Sequence, residues 1–211
     1  VIVDGESLWL TTNSGLIHYW PSGDHDIQLF TTSDGLLSEH FMPNAALMTS
    51  SGRIYIGSVN GANSFEPSRM KINQVVPSVF VTKVEYPNTS DNTSVYTNFS
   101  ANERQEMTVT GSPVVLDYDQ NTVTIHYASL SYCSPTKNQY AIRMDGIDKA
   151  WNYVGNDTRA TYTNLSDGEY IFRVKATNND GKWCQQEAVL ILRITPPFYK
   201  AWYSKILYVI L

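Results

Sequence analysis

The stretch LSDGEYIFRVKAT, residues 165–177, decides the fold of the second half of this chain. Apolar residues at Tyr170, Phe172, Val174 and Ala176 fall on one parity, which predicts a strand with one buried face. The turn before it resembles a tyrosine corner, in which a Tyr at the start of a late sandwich strand bonds back to the backbone. We therefore expect a late strand of a β-sandwich here.

The same alternation recurs on either side of this stretch. It predicts further strands, and about seven strands without a helical pattern indicate an immunoglobulin- or fibronectin-III-like sandwich. A stretch rich in Asn, Ser and Thr, residues 87–112, predicts a long loop or a ragged hairpin. The other predicted strands are Val79–Tyr86, Thr122–Tyr127, Gln139–Asp145, Thr158–Thr163 and Glu187–Ile194.

The first 70 residues contain an internal repeat. Residues 8–19 align with residues 54–65 at an offset of 46, which places Trp9 on Tyr55 and Gly15 on Gly61. A period of roughly 40–50 residues with several short strands per unit is typical of propeller blades. Residues 1–70 thus correspond to one and a half to two blades, which are too few to close a ring. The alternative interpretation of this region is a plain β-sandwich with ordinary hairpins.

The two units are incomplete in different ways. The first lacks most of its innermost strand, and the second lacks an outer strand equivalent to Ile27–Thr31, because the chain leaves the repeat after Pro67. We expect an earlier segment of a longer protein to fill that place and close the ring. The predicted repeat strands are Leu8–Thr12, Leu16–Tyr19, Ile27–Thr31, Ala45–Met48, Ile54–Ser58 and Ala62–Phe65.

The chain thus divides into four predicted parts. They are a partial propeller (1–70), a linker (71–77), the sandwich (78–195) and a juxtamembrane segment that begins a transmembrane helix (196–211). The apolar run Ile206–Leu211 is shorter than the roughly 20 residues of a membrane span, so it is either the start of one or a last strand.

Composition narrows the class of function. Aromatic residues make up 12% and charged residues 17% of the chain, a profile of β-rich, often extracytoplasmic domains. A net charge of −5 provides no basic stripe, which argues against nucleic-acid binding. The four histidines are dispersed and no metal-ligand spacing occurs, so we predict no catalytic residue, metal or cofactor in this fragment.

Aromatic residues are the candidates for ligand contact. Trp9, Trp20 and Tyr55 are weak candidates, since propeller faces commonly bind ligands. Tyr132, Tyr140 and Tyr170 also invite a sugar-stacking interpretation, but their inward parity favours the core.

Two pairs of residues in the sandwich raise the questions of a disulfide and of a dimer contact. Cys133 and Cys184 should lie at one pole, so a disulfide is conceivable in an oxidising compartment. The last strand is apolar on both faces, and we hypothesise that Val189 and Ile191 form a homodimer contact. Coverage by the loop 87–112 is the alternative.

Several phrases carry a family resemblance. The first repeat resembles the two-component-regulator propeller repeat. The phrases GIDKAW (146–151), ATYTNL (160–165), GEY (168–170) and DGKW (180–183) resemble the triple-tyrosine, or Y_Y_Y, domain. The two cysteines are not part of that pattern.

The resemblance implies the periplasmic sensor region of a hybrid histidine kinase in the inner membrane, of the kind that controls polysaccharide use in Bacteroidetes. Oligosaccharides would be its signals, and a membrane helix would follow Trp202. The kinase would lie outside this fragment. The alternatives are the accessory and propeller modules of a secreted carbohydrate-active enzyme, or a surface adhesion or scaffolding protein.

Overall fold

A computed structural model describes residues 1–21, 27–70, 73–87, 94–98 and 113–197. In these residues the chain is all-β, with sixteen strands in four sheets and three single-turn 3₁₀ helices. The chain divides into two compact units, residues 1–73 and 74–211.

The first unit contains two antiparallel sheets, which correspond to the two predicted blades. One has four strands in the order β1-β2-β3-β4, and the other has three in the order β5-β6-β7. The three-residue β1 is the shortened innermost strand that the repeat predicted. The strands are β1 (Ile2–Asp4), β2 (Ser7–Thr12), β3 (Gly15–Tyr19), β4 (Ile27–Phe30), β5 (Phe41–Met48), β6 (Ile54–Ser58) and β7 (Gly61–Phe65).

Residues from both sheets form the core of this unit. Trp9 is 1% exposed, and its ring lies 4.9 Å from that of Phe65 and 5.8 Å from that of Phe30. The other buried members are Ile2, Leu16, Ile54 and Ile56. Burial of these apolar side chains holds the two sheets together, at about 25 cal/mol for each Å² removed from water.

The second unit is a sandwich of two sheets. Strand order is β10-β16-β15-β12-β13 in one sheet and β14-β11-β8-β9 in the other. β10 runs parallel to β16, whereas every other described pair is antiparallel. The strands are β8 (Val79–Pro87), β9 (Ser94–Asn98), β10 (Val114–Leu116), β11 (Val123–Ser129), β12 (Tyr140–Asp145), β13 (Asn152–Gly155), β14 (Arg159–Tyr162), β15 (Gly168–Ala176) and β16 (Ala188–Ile194).

The core of the sandwich follows the predicted parity. Phe172, Val174 and Ala176 are each 0% exposed, and Leu192 on the neighbouring β16 is equally buried. The tyrosine corner also forms, since the Tyr170 hydroxyl donates to the carbonyl oxygen of Ser166 at 3.1 Å. All-β architecture with propeller-like blades followed by a sandwich is therefore the fold of this chain.

Candidate functional site

The outward side of the five-stranded sheet carries a short apolar stripe. Ile171 on β15 stands directly opposite Ile191 on β16, and Val189 lies two residues further along β16. All three side chains are half-buried, whereas Val115 on β10 is 57% exposed. We call Val115, Ile171, Val189 and Ile191 the apolar stripe.

Ion pairs border this stripe. On one side Arg193 lies 2.7 Å from Glu169, and both side chains are about half exposed. On the other side the Asp145 carboxylate accepts from Arg173 at 2.8 Å and lies 2.7 Å from Arg143. The hydrogen bond from Arg173, together with Arg143, lowers the pKa of Asp145 below its usual value. The stripe is thus bordered by side chains of both signs of charge.

Beyond the ion pairs, three aromatic rings surround Lys175. Its Nζ lies 4.6 Å from the ring centroid of Trp151, 4.8 Å from that of Trp183 and 5.5 Å from that of Tyr153. Trp151 and Trp183 belong to the GIDKAW and DGKW phrases, so both motifs converge on one cation. Each cation–π contact contributes about 0.5–1 kcal/mol at an exposed site. Because the lysine covers the ring faces, the cluster links β15 to β13 and to the loop after β15.

The loop after β15 also holds the segment that leads into the sandwich. Asn178 is 0% exposed, and its Nδ2 donates to the carbonyl oxygen of Val75 at 2.9 Å. Its Oδ1 accepts the backbone N–H groups of Asp180 and Lys182. The Lys182 ammonium donates to Gln74 Oε1 at 2.9 Å. This loop therefore fixes the connector, residues 74–75, at one pole of the sandwich.

Asn178 was not among the residues singled out from the sequence. The signal was present in Asn178-Asn179-Asp180-Gly181, because short polar side chains before a glycine commonly bond to backbone groups in a turn. Its partner at Val75 is 103 residues away along the chain. No local pattern indicates a contact of that range.

The three family tyrosines have different environments. Tyr140 is 4% exposed, and its hydroxyl accepts from the backbone N–H of Ser129 at 3.1 Å. Tyr170 is half-buried against the core. The prediction of an inward Tyr132 is wrong, because β11 ends at Ser129 and Tyr132, in the following loop, is 80% exposed.

The conceivable disulfide is not formed. Cys133 and Cys184 are both free thiols. Cys184 packs against the sandwich core, and its Sγ accepts from the backbone N–H of Ala176 at 3.4 Å. Cys133 is exposed in the loop after β11, so the two side chains have different surroundings.

The three candidate ligand-binding residues differ in exposure. Trp9 lies inside the core, so it cannot contact a ligand at the surface. Trp20 is half-buried, and Tyr55 is 40% exposed. His18 lies between Trp9 and Trp20, with ring centroids 3.8 Å and 3.7 Å away, and its Nε2 is 2.8 Å from Ser7 Oγ. Burial lowers the pKa of His18, although the nearby Asp4 carboxylate partly opposes this shift.

Two features are absent from the described residues. No group of three or more His, Cys, Asp or Glu side chains is placed to hold a metal ion there. Among the same residues no helix is long and apolar enough to cross a membrane. Of the segment 196–211, which was predicted to begin a membrane helix, residues 198–211, including Trp202, lie outside the described part.

Comparison with known proteins supports the resemblance noted in the sequence. Residues 131–195, which include β12 to β16, match the Y_Y_Y domain family. The resemblance to the triple-tyrosine domain is thus confirmed over these residues.

Two known proteins resemble the chain over most of its length. It is 30% identical to Histidine kinase P4 from Formosa agariphila over 207 residues, which is 96% of this chain and 14% of that protein. It also matches the extracellular domain of the hybrid two component system BT3049 from B. thetaiotaomicron, with a TM-score of 0.64 and 20% identity. That match covers 90% of this chain and 31% of the solved one, so the two share a fold. The predicted relationship to two-component sensors is confirmed, and the chain spans about one seventh of the kinase relative.

Proposed function

We propose that this chain is the membrane-proximal part of the periplasmic sensor region of a transmembrane hybrid histidine kinase. The observation that carries the proposal is the similarity to Histidine kinase P4, which extends over 96% of the chain and so includes both units. The extracellular origin of the solved domain with the same fold supports a periplasmic location. The kinase chemistry belongs, in this proposal, to the remainder of the full-length protein.

The proposed role of the fragment is to transmit ligand binding to the membrane and so to control transcription. The fixed connector supports this role, because Asn178 and Lys182 bond the residues that follow the first unit to the sandwich. A displacement of residues 74–75 would then be transferred to β15 and the loop beside it. A ligand changes such an equilibrium only as far as it binds one arrangement better than the other.

We propose an oligosaccharide as the ligand, bound mainly by blades outside this fragment. Tyr55 and Trp20 are the remaining candidates for a contribution from the fragment itself. Exposed aromatic rings suit the apolar faces of sugar rings.

Calorimetry with a panel of oligosaccharides would test this assignment. The intact extracytoplasmic region should bind one of them, while the 211-residue fragment should not. Binding by the fragment alone would place the site here and make Tyr55 and Trp20 the first residues to replace. If the intact region binds none of the panel, the oligosaccharide assignment fails.

The apolar stripe is the proposed homodimer contact. Val189 and Ile191 are its centre, and ion pairs of both signs flank it, so the same surface on two copies could pair about a twofold axis. The alternative is that the stretch 87–112 covers Val189 and Ile191. The structure describes only part of that stretch. Its strand β9 pairs with β8 in the opposite sheet.

A further inference from the structure

The pairing of β5 with β6 contains a large bulge. The register is interrupted between Phe41 and Ala46, and across that gap residues 42–45 face a single residue of β6, Gly57. An ordinary β-bulge places two residues opposite one. Residues 42–45, which we call the β5 bulge, therefore leave the regular ladder.

Strand β6 has room for the bulge because it carries no side chain at the facing position. A Cβ at Gly57 would lie 2.9 Å from the Cβ of Ala45, which is closer than such atoms approach. At the two ends of the bulge, Phe41 and Ala46 pack against the core cluster of the first unit. The surrounding structure thus fixes the β5 bulge in place.

The backbone of the bulge is strained at one residue. Asn44 has a φ of +59°, and within the described part of the chain only Asn164 shares a positive φ without being a glycine. Left-handed backbone is unfavourable for residues with a side chain, although Asn adopts it more readily than most. Strain of this kind persists where the surrounding structure imposes it, and it is concentrated at binding and catalytic sites. The bulge is therefore a candidate for a functional role.

Two exposed side chains give the bulge its chemistry. Met42 is 54% exposed, so its apolar and adaptable side chain is available for contact. Asn44 is exposed as well, and its carboxamide makes no hydrogen bond to any described residue. A carboxamide can donate and accept hydrogen bonds at once, as sugar hydroxyls do. The pair thus matches a carbohydrate, whose rings combine hydroxyl groups with an apolar face.

The place of β5 in its blade brings the bulge to the centre of a propeller. β5 ends its sheet on the side away from β7, and it is the counterpart of β1, the shortened innermost strand of the first sheet. The blades of a propeller surround a central channel, so their innermost strands lie next to it. Bulges commonly lie beside functional sites, where they redirect side chains. A ligand at the central channel would therefore meet the bulge before it meets the outer strands.

We propose that Met42 and Asn44 bind the oligosaccharide of the intact sensor region. The Asn44 carboxamide bonds to sugar hydroxyls, and the Met42 side chain packs against the apolar face of a sugar ring. This inference rests on the proposed function, because it names contacts for the ligand assigned there. It adds a strained, polar contact to the aromatic candidates Trp20 and Tyr55.

Calorimetry on the intact extracytoplasmic region tests the proposal, with oligosaccharides released from xylan, arabinan, mannan and homogalacturonan as probes. For the probe that binds, Asn44→Gly should raise the dissociation constant about tenfold, the effect of one or two lost hydrogen bonds. Glycine adopts a positive φ without strain, so this variant should keep the thermal unfolding midpoint of the parent. Met42→Ser should raise the dissociation constant severalfold.

Asn164→Gly is the matched control. Asn164 is also an exposed Asn with a positive φ, +58°, but it lies between β14 and β15 of the sandwich, so its replacement should leave binding unchanged. Equal weakening by Asn44→Gly and Asn164→Gly would overturn the proposal, and so would parent-like binding by both bulge variants. If the parent region binds none of the probes, the oligosaccharide assignment fails and this inference falls with it. Bulge variants that bind like the parent would instead leave that assignment intact.

Discussion

A single buried amide ties the connector to the sandwich. Asn178 satisfies three backbone groups at once, the carbonyl of Val75 and two N–H groups of its own loop. Removal of the amide breaks all three hydrogen bonds, and each such bond contributes about 0.5–1.5 kcal/mol to stability. Asn178 therefore stabilises the sandwich by holding the backbone of residue 75 and of its own loop in place.

Asn178→Ala should lower the free energy of unfolding of the sandwich by about 2–3 kcal/mol. Chemical denaturation monitored by far-UV circular dichroism would measure the change. Asn179→Ala, at the next position of the same loop, is the control and should have a smaller effect. A loss below about 0.5 kcal/mol, the range of ordinary surface changes, would contradict the assigned role of Asn178.

His18 should make the first unit sensitive to acid. Its pKa is lowered chiefly by burial, so the folded state favours the neutral ring more than the unfolded chain does. The corresponding stability is complete above the ordinary value of about 6.5 and is lost as the pH falls through the lower folded value. Thermal unfolding at pH 7.5 and pH 5 should show a larger decrease for the parent chain than for His18→Phe, which keeps an aromatic ring but cannot titrate. Identical decreases would show that other groups dominate.

Sequence reasoning succeeded at residues whose environment follows from strand parity and failed where a strand ends. Phe172 and Val174 lie inside the core, as alternation predicted, because a strand sends successive side chains to opposite faces. Tyr132 was assigned by the same rule. It lies beyond the end of β11, where parity no longer applies.

At the scale of elements, the strands that were missed share a weak local pattern. β10 has three residues, β13 has four and only one half-buried side chain, and β9 lies in a polar stretch. β10 is held by pairing with β16, which is distant in sequence. β9 and β13 each pair with the strand that precedes them in the chain. The repeat was visible because its glycines and aromatic residues recur at matching positions, and β2, β3, β6 and β7 follow it closely.

The repeat glycines differ in how closely they are packed, which gives an element-scale prediction. Gly15→Ala should destabilise the first unit by more than Gly61→Ala does in the 211-residue chain. Both substitutions force a side chain onto a positive φ, at about 1–2 kcal/mol, but only the first drives a Cβ against a backbone oxygen. Thermal unfolding would rank the two variants. Equal losses would mean that β4 yields to the added methyl group.

At the scale of the whole molecule, the chain combines two cores with one bonded connector. The buried cluster around Trp9 and the larger cluster around Phe172 are separate, and each belongs to its own unit. Asn178 and Lys182 form hydrogen bonds to residues 74–75, with which the second unit begins. Transmission in the proposed sensor would therefore depend on this short segment and on the apolar stripe, the proposed homodimer contact.

If the apolar stripe is the proposed homodimer contact, the double change Val189→Asp plus Ile191→Asp should weaken dimerisation of the extracytoplasmic region, because it would bury four carboxylates without partners at the contact. Sedimentation equilibrium should show a dissociation constant at least a hundredfold larger. This corresponds to about 2.7 kcal/mol of association free energy, which is a moderate cost for unpaired buried charges. Leu130→Asp plus Tyr132→Asp, two exposed residues outside this face, is the control for the added charge. An unchanged monomer–dimer equilibrium would reject the apolar stripe as the contact. Val189 and Ile191 lie on the outward face of β16, and Leu130 and Tyr132 are exposed, so neither variant changes a core residue. Both variants should therefore keep the circular dichroism spectrum of the parent, which distinguishes loss of the contact from loss of the fold.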